Sequence, residues 1–294
     1  MYKIRSIRAC FRAAYDLFCS NLRTLFKKTW LPVLALSAIS SLAHLIPWNE
    51  SVQTITEQAP TNPLMKIIAL SAGVFVMGLT AIIWTWGCVF SLLNGRSRKM
   101  NWLRLTRAML VFMGVIALMS LVSIGMSCIP FMLSTNIANP DHTTEFTASG
   151  AITIGTFMIW AILLVPTTYT LMKYMMEPNE KVGCIMGKSS RQGWRHWGFL
   201  FVCILVAYII SLLAFTIVKT PELILFLANQ SNEAGKLMGD ASGLPSYFGI
   251  ANYLVSLSCT FVWSYLTICI SMVFYYAYGT IEAKRRAATQ TTQK

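Results

Sequence analysis

Six apolar stretches of this chain carry no Lys, Arg, Asp or Glu in their middles, and the basic residues crowd into alternate gaps between them. A bilayer imposes this pattern, because a charged side chain at the centre of a spanning helix costs roughly 2.5–3.5 kcal/mol on insertion scales. The hydrophobic fraction is 55% and the charged fraction 12%, about half the charge of an average soluble domain. So little charge would leave a water-borne surface uncovered. The sequence therefore predicts an all-α membrane protein.

About 20 apolar residues span the hydrocarbon, at 1.5 Å of rise per residue. Spans are expected near residues 30–48, 67–93, 108–133, 150–172, 198–218 and 250–280. The segment 1–29 holds seven Lys and Arg, the gaps 94–107 and 173–197 hold five each, and the tail after residue 280 holds four. The remaining gaps hold only Lys66, Lys219 and Lys236. Cationic flanks stay on the cytoplasmic side, so both termini are expected there, in a multi-pass protein of the cytoplasmic (inner) membrane. The net charge of +13 would suggest nucleic acid in a soluble protein. Here its placement points to anionic headgroups instead.

The N-terminus lacks the short apolar core and small-residue site of a signal peptide. Ile4, Ile7, Phe11, Tyr15, Phe18, Leu22, Leu25 and Phe26 recur every three or four residues, the stripe of an amphipathic helix suited to the headgroup layer. Similar basic, Trp-bearing segments lead into the third span (Arg96 to Arg107) and the fifth (Lys188 to Trp197). The expected architecture is six transmembrane helices as three helical hairpins, with basic amphipathic helices at the cytoplasmic interface. It divides into an interfacial helix at 1–29, a transmembrane domain at 30–281 and a basic tail at 282–294. Arg5, Arg8, Arg12, Arg98, Arg104, Arg191 and Arg195 are the candidate contacts to the inner leaflet or to a partner.

These basic lead-ins, the three hairpins and a last helix ending in Tyr275, Tyr276, Tyr278 and Glu282 resemble a group of bacterial six-helix membrane domains. Some are fused to glycerophosphodiester phosphodiesterases. In such fusions catalysis lies in the soluble part, so the resemblance implies a membrane module and lends no catalytic residue.

Motifs for chemistry are sparse. The histidines are His44, His142 and His196, with no HExxH; Gly125-Met126-Ser127-Cys128-Ile129 lacks the last glycine of a nucleophile elbow. His44 reads as an interfacial residue, and Asp141, His142 and Glu145 as a solvated outer loop rather than a metal site. Asn49 and Asn229 head glycosylation-type triplets at chance frequency. The eight cysteines form no CxxC and none falls in an expected outer loop, so they read as packing residues; no cofactor or metal is expected.

The candidate interior groove is Pro166, Thr167, Thr168, Tyr169 and Thr170. Proline has no amide hydrogen, so the carbonyl of Ile162 needs another donor. Ser256, Thr260 and Ser264 repeat every four residues, a face for close helix approach. The leading expectation is a non-enzymatic, lipid-interacting or partner-organising membrane component. Its partners would be membrane lipids, with a protein or a second copy as further candidates. A permease or channel for a small neutral or amphiphilic solute is the alternative, and a membrane-embedded enzyme the second.

Overall fold

The computed structural model describes residues 2–42, 62–134, 142–185, 187–239 and 243–292. These residues form seven α-helices and no strand. They are α1 (Ile7–Ser41), α2 (Asn62–Asn94), α3 (Arg98–Ser134), α4 (His142–Met176), α5 (Lys188–Arg195), α6 (Trp197–Leu237) and α7 (Phe248–Thr292). A 3-10 turn, Val182–Ile185, precedes α5.

Five helices, α2, α3, α4, α6 and α7, are long and apolar enough to cross a membrane. Large apolar side chains stand out from them: Leu121 is 69% exposed, Phe157 74% and Ile217 76%. Exposing such a side chain to water forfeits about 1.5–3 kcal/mol of burial. Hydrocarbon removes that penalty, and the chain is a multi-pass membrane protein. The span expected at 30–48 begins within α1 and runs beyond the described residues.

Helices continue through several expected boundaries. The division at 29 and 30 falls inside α1, and that at 281 and 282 inside α7. No glycine or proline interrupts residues 7–30 or 280–292, so nothing locally breaks either helix. The gap expected after residue 218 is also helical, because α6 continues to Leu237. Lys219 lies within it, held by Glu222 Oε2 at 2.5 Å and Thr260 Oγ1 at 2.9 Å.

Contacts divide the chain into two compact units. One comprises Arg8–Trp102 and Leu205–Tyr276. In it α7 touches α1 through Thr29 and Tyr265 (3.3 Å) and through Ser41 and Ser256 (3.2 Å). The expected small-residue face of α7 is thus used twice: Ser256 meets α1, and Thr260 meets α6. On α1 the packing seam is Leu25, Thr29, Val33, Ser37 and Ser41, spaced every four residues and buried. Tyr15, Leu22, Phe26 and Trp30 stay exposed. Gly95 turns α2 into α3 at φ +69°, a conformation that other residues adopt at a cost. Asn94 and Asn101 brace that turn with reciprocal amide hydrogen bonds of 2.8 and 3.1 Å.

The second unit comprises Met1–Ile7, Leu103–Ile204 and Ala277–Lys294. Here α3 and α4 run antiparallel. Ser127 meets Thr153 at 2.8 Å, Trp160 Nε1 donates to Ser123 at 3.2 Å, and Arg104 reaches the carbonyls just past the end of α4. Ser127, from the elbow-like pentapeptide, also donates to the Ser123 carbonyl at 2.8 Å.

Candidate functional site: a cationic cleft over a buried polar layer

The second unit concentrates its chemistry at one end, where α4 finishes, α5 lies and α7 ends. Tyr169 and Tyr278 are fully buried, with ring centroids 5.6 Å apart. Each phenol donates to a carboxylate: Tyr169 to Glu282 at 2.5 Å, and Tyr278 to Glu177 at 2.9 Å. The Glu282 side chain is 2% exposed and pairs with Arg285 Nη1 at 3.2 Å. A buried carboxylate left alone would cost several kcal/mol; the phenol and the guanidinium offset this. Gln192 on α5 ties into the same group, its Oε1 2.8 Å from the Tyr169 hydroxyl. Lys173, also buried, pairs with Glu180 at 2.9 Å.

Beside this layer opens a cleft of about 470 Å³, lined among others by Gln192, Arg195, His196, Lys284, Arg285 and Thr289. It falls within the size range of small-molecule sites. His196 directly precedes α6, and its carbonyl accepts the first bond of that helix from Leu200 N at 3.1 Å. The amide-bearing N-terminus of a 41-residue helix therefore borders the cleft, and such an end carries positive potential. Burial, then Lys284, then Arg195 hold the His196 imidazole below its ordinary value. The cleft is electropositive.

The expected groove residues make mostly local contacts. Thr167, Thr168 and Thr170 donate to the carbonyls of Leu164 (2.6 Å), Val165 (2.8 Å) and Thr167 (3.0 Å) in their own helix. Pro166 is packed against Gly193, where an added Cβ would lie 2.8 Å from the proline Cβ. The Ile162 carbonyl receives Trp197 Nε1 at 3.2 Å. Tyr169 alone of the five joins the polar layer.

The candidate arginines separate as well. Arg8, Arg12, Arg98, Arg191 and Arg195 are exposed, and Arg5 is half-buried. Arg104, by contrast, is buried. It donates to the carbonyls of Glu177 (2.9 Å), Glu180 (3.1 Å) and Pro178 (3.2 Å) and lies 4.3 Å over the Tyr174 ring. In the sequence Lys284 and Arg285 count only as topology charges. Their helical spacing from Ile281, and that of Arg195 from Gln192, is the signal that would group them on the faces lining the cleft. His44 and Asp141 lie outside the described residues, as does the first glycosylation-type triplet.

No family model, curated protein or solved structure matches this chain.

Proposed function

We propose that the chain is a non-enzymatic, lipid-interacting membrane component with six spans arranged as three hairpins. Both termini face the cytoplasm, and the basic interfacial segments engage the anionic inner leaflet of the cytoplasmic membrane. The observation that carries this reading is the outward display of cations beside exposed aromatic side chains. Arg191 and Arg195 flank exposed Trp194 on α5, and Arg8 and Arg12 precede exposed Tyr15, Leu22 and Phe26 on α1. Indoles and phenols favour the headgroup level, and each nearby Lys or Arg adds about 1 kcal/mol of attraction to an anionic leaflet. The six-helix bacterial domains that the chain resembles would be modules of the same kind.

The test replaces Arg8, Arg12, Arg98 and Arg191 together by Gln and weighs anionic lipid retained by the purified protein in native mass spectrometry. Retention should fall while insertion persists. Unchanged retention in a correctly inserted variant refutes the lipid reading. Membrane-impermeant labelling of cysteines added at each chain end tests orientation: reagent applied outside intact cells should reach neither.

A further inference from the structure

We propose that the cleft between α5 and the C-terminal part of α7 is a site for one phosphate-bearing anion, supplied as the headgroup of an anionic lipid. The inference rests on the lipid-facing reading above and adds a defined pocket to it.

Three cations line the cleft: Arg195, Lys284 and Arg285. Glu282 pairs with Arg285, and Glu177 also acts on that guanidinium. Arg195 and Lys284, which both act on His196, remain as the cations that would meet a phosphate. The α6 N-terminus at its edge adds amide donors, and helix N-termini bind phosphate through their free N–H groups and dipole. Polar groups complete the lining. Gln192 is anchored to Tyr169, and Thr289 offers a hydroxyl.

Depth argues for a lipid source. Trp194 and Trp197 flank His196, and below them the apolar run of α6 begins at once. Indoles mark the membrane interface. Lys284 lies with its ammonium 5.4 Å over the Phe199 ring, in the first turn of α6, where a long side chain can hold its charge at headgroup level. A headgroup entering sideways would meet Lys284 and Arg195 while its acyl chains stayed beside α6.

His196 gives the experiment an internal reporter. Its imidazole is held low partly by Lys284 and Arg195, so an anion seated between them should raise it. The full chain would be placed in nanodiscs of phosphatidylcholine, with phosphatidylglycerol added in one series and soluble inorganic phosphate in another. The His196 resonance, identified by its loss in His196→Gln, would be titrated by NMR. Phosphatidylglycerol should move the midpoint upward. Lys284→Gln and Arg195→Gln should each abolish the movement and lower retained phosphatidylglycerol about fivefold. Lys181→Gln, an exposed cation outside the cleft lining, should change neither. Lys284 is itself exposed, so its variant should fold whether or not Arg195→Gln does. A response to inorganic phosphate but not to lipid overturns the lipid source and keeps the anion chemistry. No response to either, or equal losses in Lys181→Gln, overturns the site. If the cleft variants are silent while the quadruple surface variant loses lipid, the cleft inference fails and the proposed function stands.

Discussion

Trp197 places its indole nitrogen 3.2 Å from the carbonyl of Ile162, the acceptor that Pro166 deprives of its usual amide partner. A defect in one helix is thus repaired by the first residue of another. Trp197→Phe keeps the ring and removes the donor. It should cost about 1 kcal/mol, read as a lowered thermal midpoint in detergent. In a Pro166→Ala background the helix regains its own donor, and the cost of Trp197→Phe should shrink. Equal costs in both backgrounds would show that the indole acts only through its bulk.

Gly193→Ala puts a methyl 2.8 Å from Pro166 Cβ and 3.0 Å from its carbonyl oxygen. Overpacking of this sort costs about 1–3 kcal/mol, and the thermal midpoint should fall. Gly198→Ala, with no neighbour within 4 Å, should be neutral or slightly stabilising, because alanine is the better helix former. The pair controls for simple loss of glycine.

The two partners of Glu282 should differ in weight. Tyr169 donates from within the core at 2.5 Å, whereas the Arg285 side chain is 47% exposed. Tyr169→Phe should destabilise by about 1–3 kcal/mol, Arg285→Gln by less than about 1 kcal/mol. Equilibrium unfolding of both variants in one detergent decides it; the reverse order would mean that the guanidinium, not the phenol, holds the buried carboxylate.

Protonation of His196 should weaken the fold. Burial, Lys284 and Arg195 lower its folded midpoint beneath the ordinary value of 6.5. The unfolded chain then binds more protons as the medium is acidified. This contribution is fully present above about pH 6.5 and is lost as pH falls through the lowered folded midpoint. Thermal midpoints measured across that interval should decline in the parent, and His196→Gln should flatten that part of the profile.

Arg98 and Arg104 show what sequence can and does not reveal. Both belong to one basic lead-in, and composition treats them alike. Helical position separates them: Arg104 shares a face with buried Asn101, Leu105 and Ala108, whereas Arg98 lies on the exposed start of α3. Reading that difference requires knowing which face meets α4, and charge counting does not supply it. The same holds for α1. Its conspicuous aromatic stripe was legible, but the packing seam is the quieter row from Leu25 to Ser41. Small residues permit close approach between helices, while bulky ones can face lipid. The unmet carbonyl of Ile162 followed directly from proline chemistry. Its donor did not, because Trp197 is 35 residues away. The cleft depends on a helix that runs through residue 282 without a break, and charge counting does not reveal that continuity.

The tight seat of Gly193 on Pro166 also acts as an angular stop for α5. In an α-helix each residue turns the chain by about 100°, and α5 is only eight residues long. Adding or deleting one residue between Gly187 and Gly193 would force a choice. Either the methyl-free notch keeps its seat, or the azimuth of the downstream side chains swings by more than a quarter turn and Arg195 leaves the cleft that Lys284 also lines. Single-residue length changes in this short connector should therefore be far less tolerated than substitutions at its outward-facing positions.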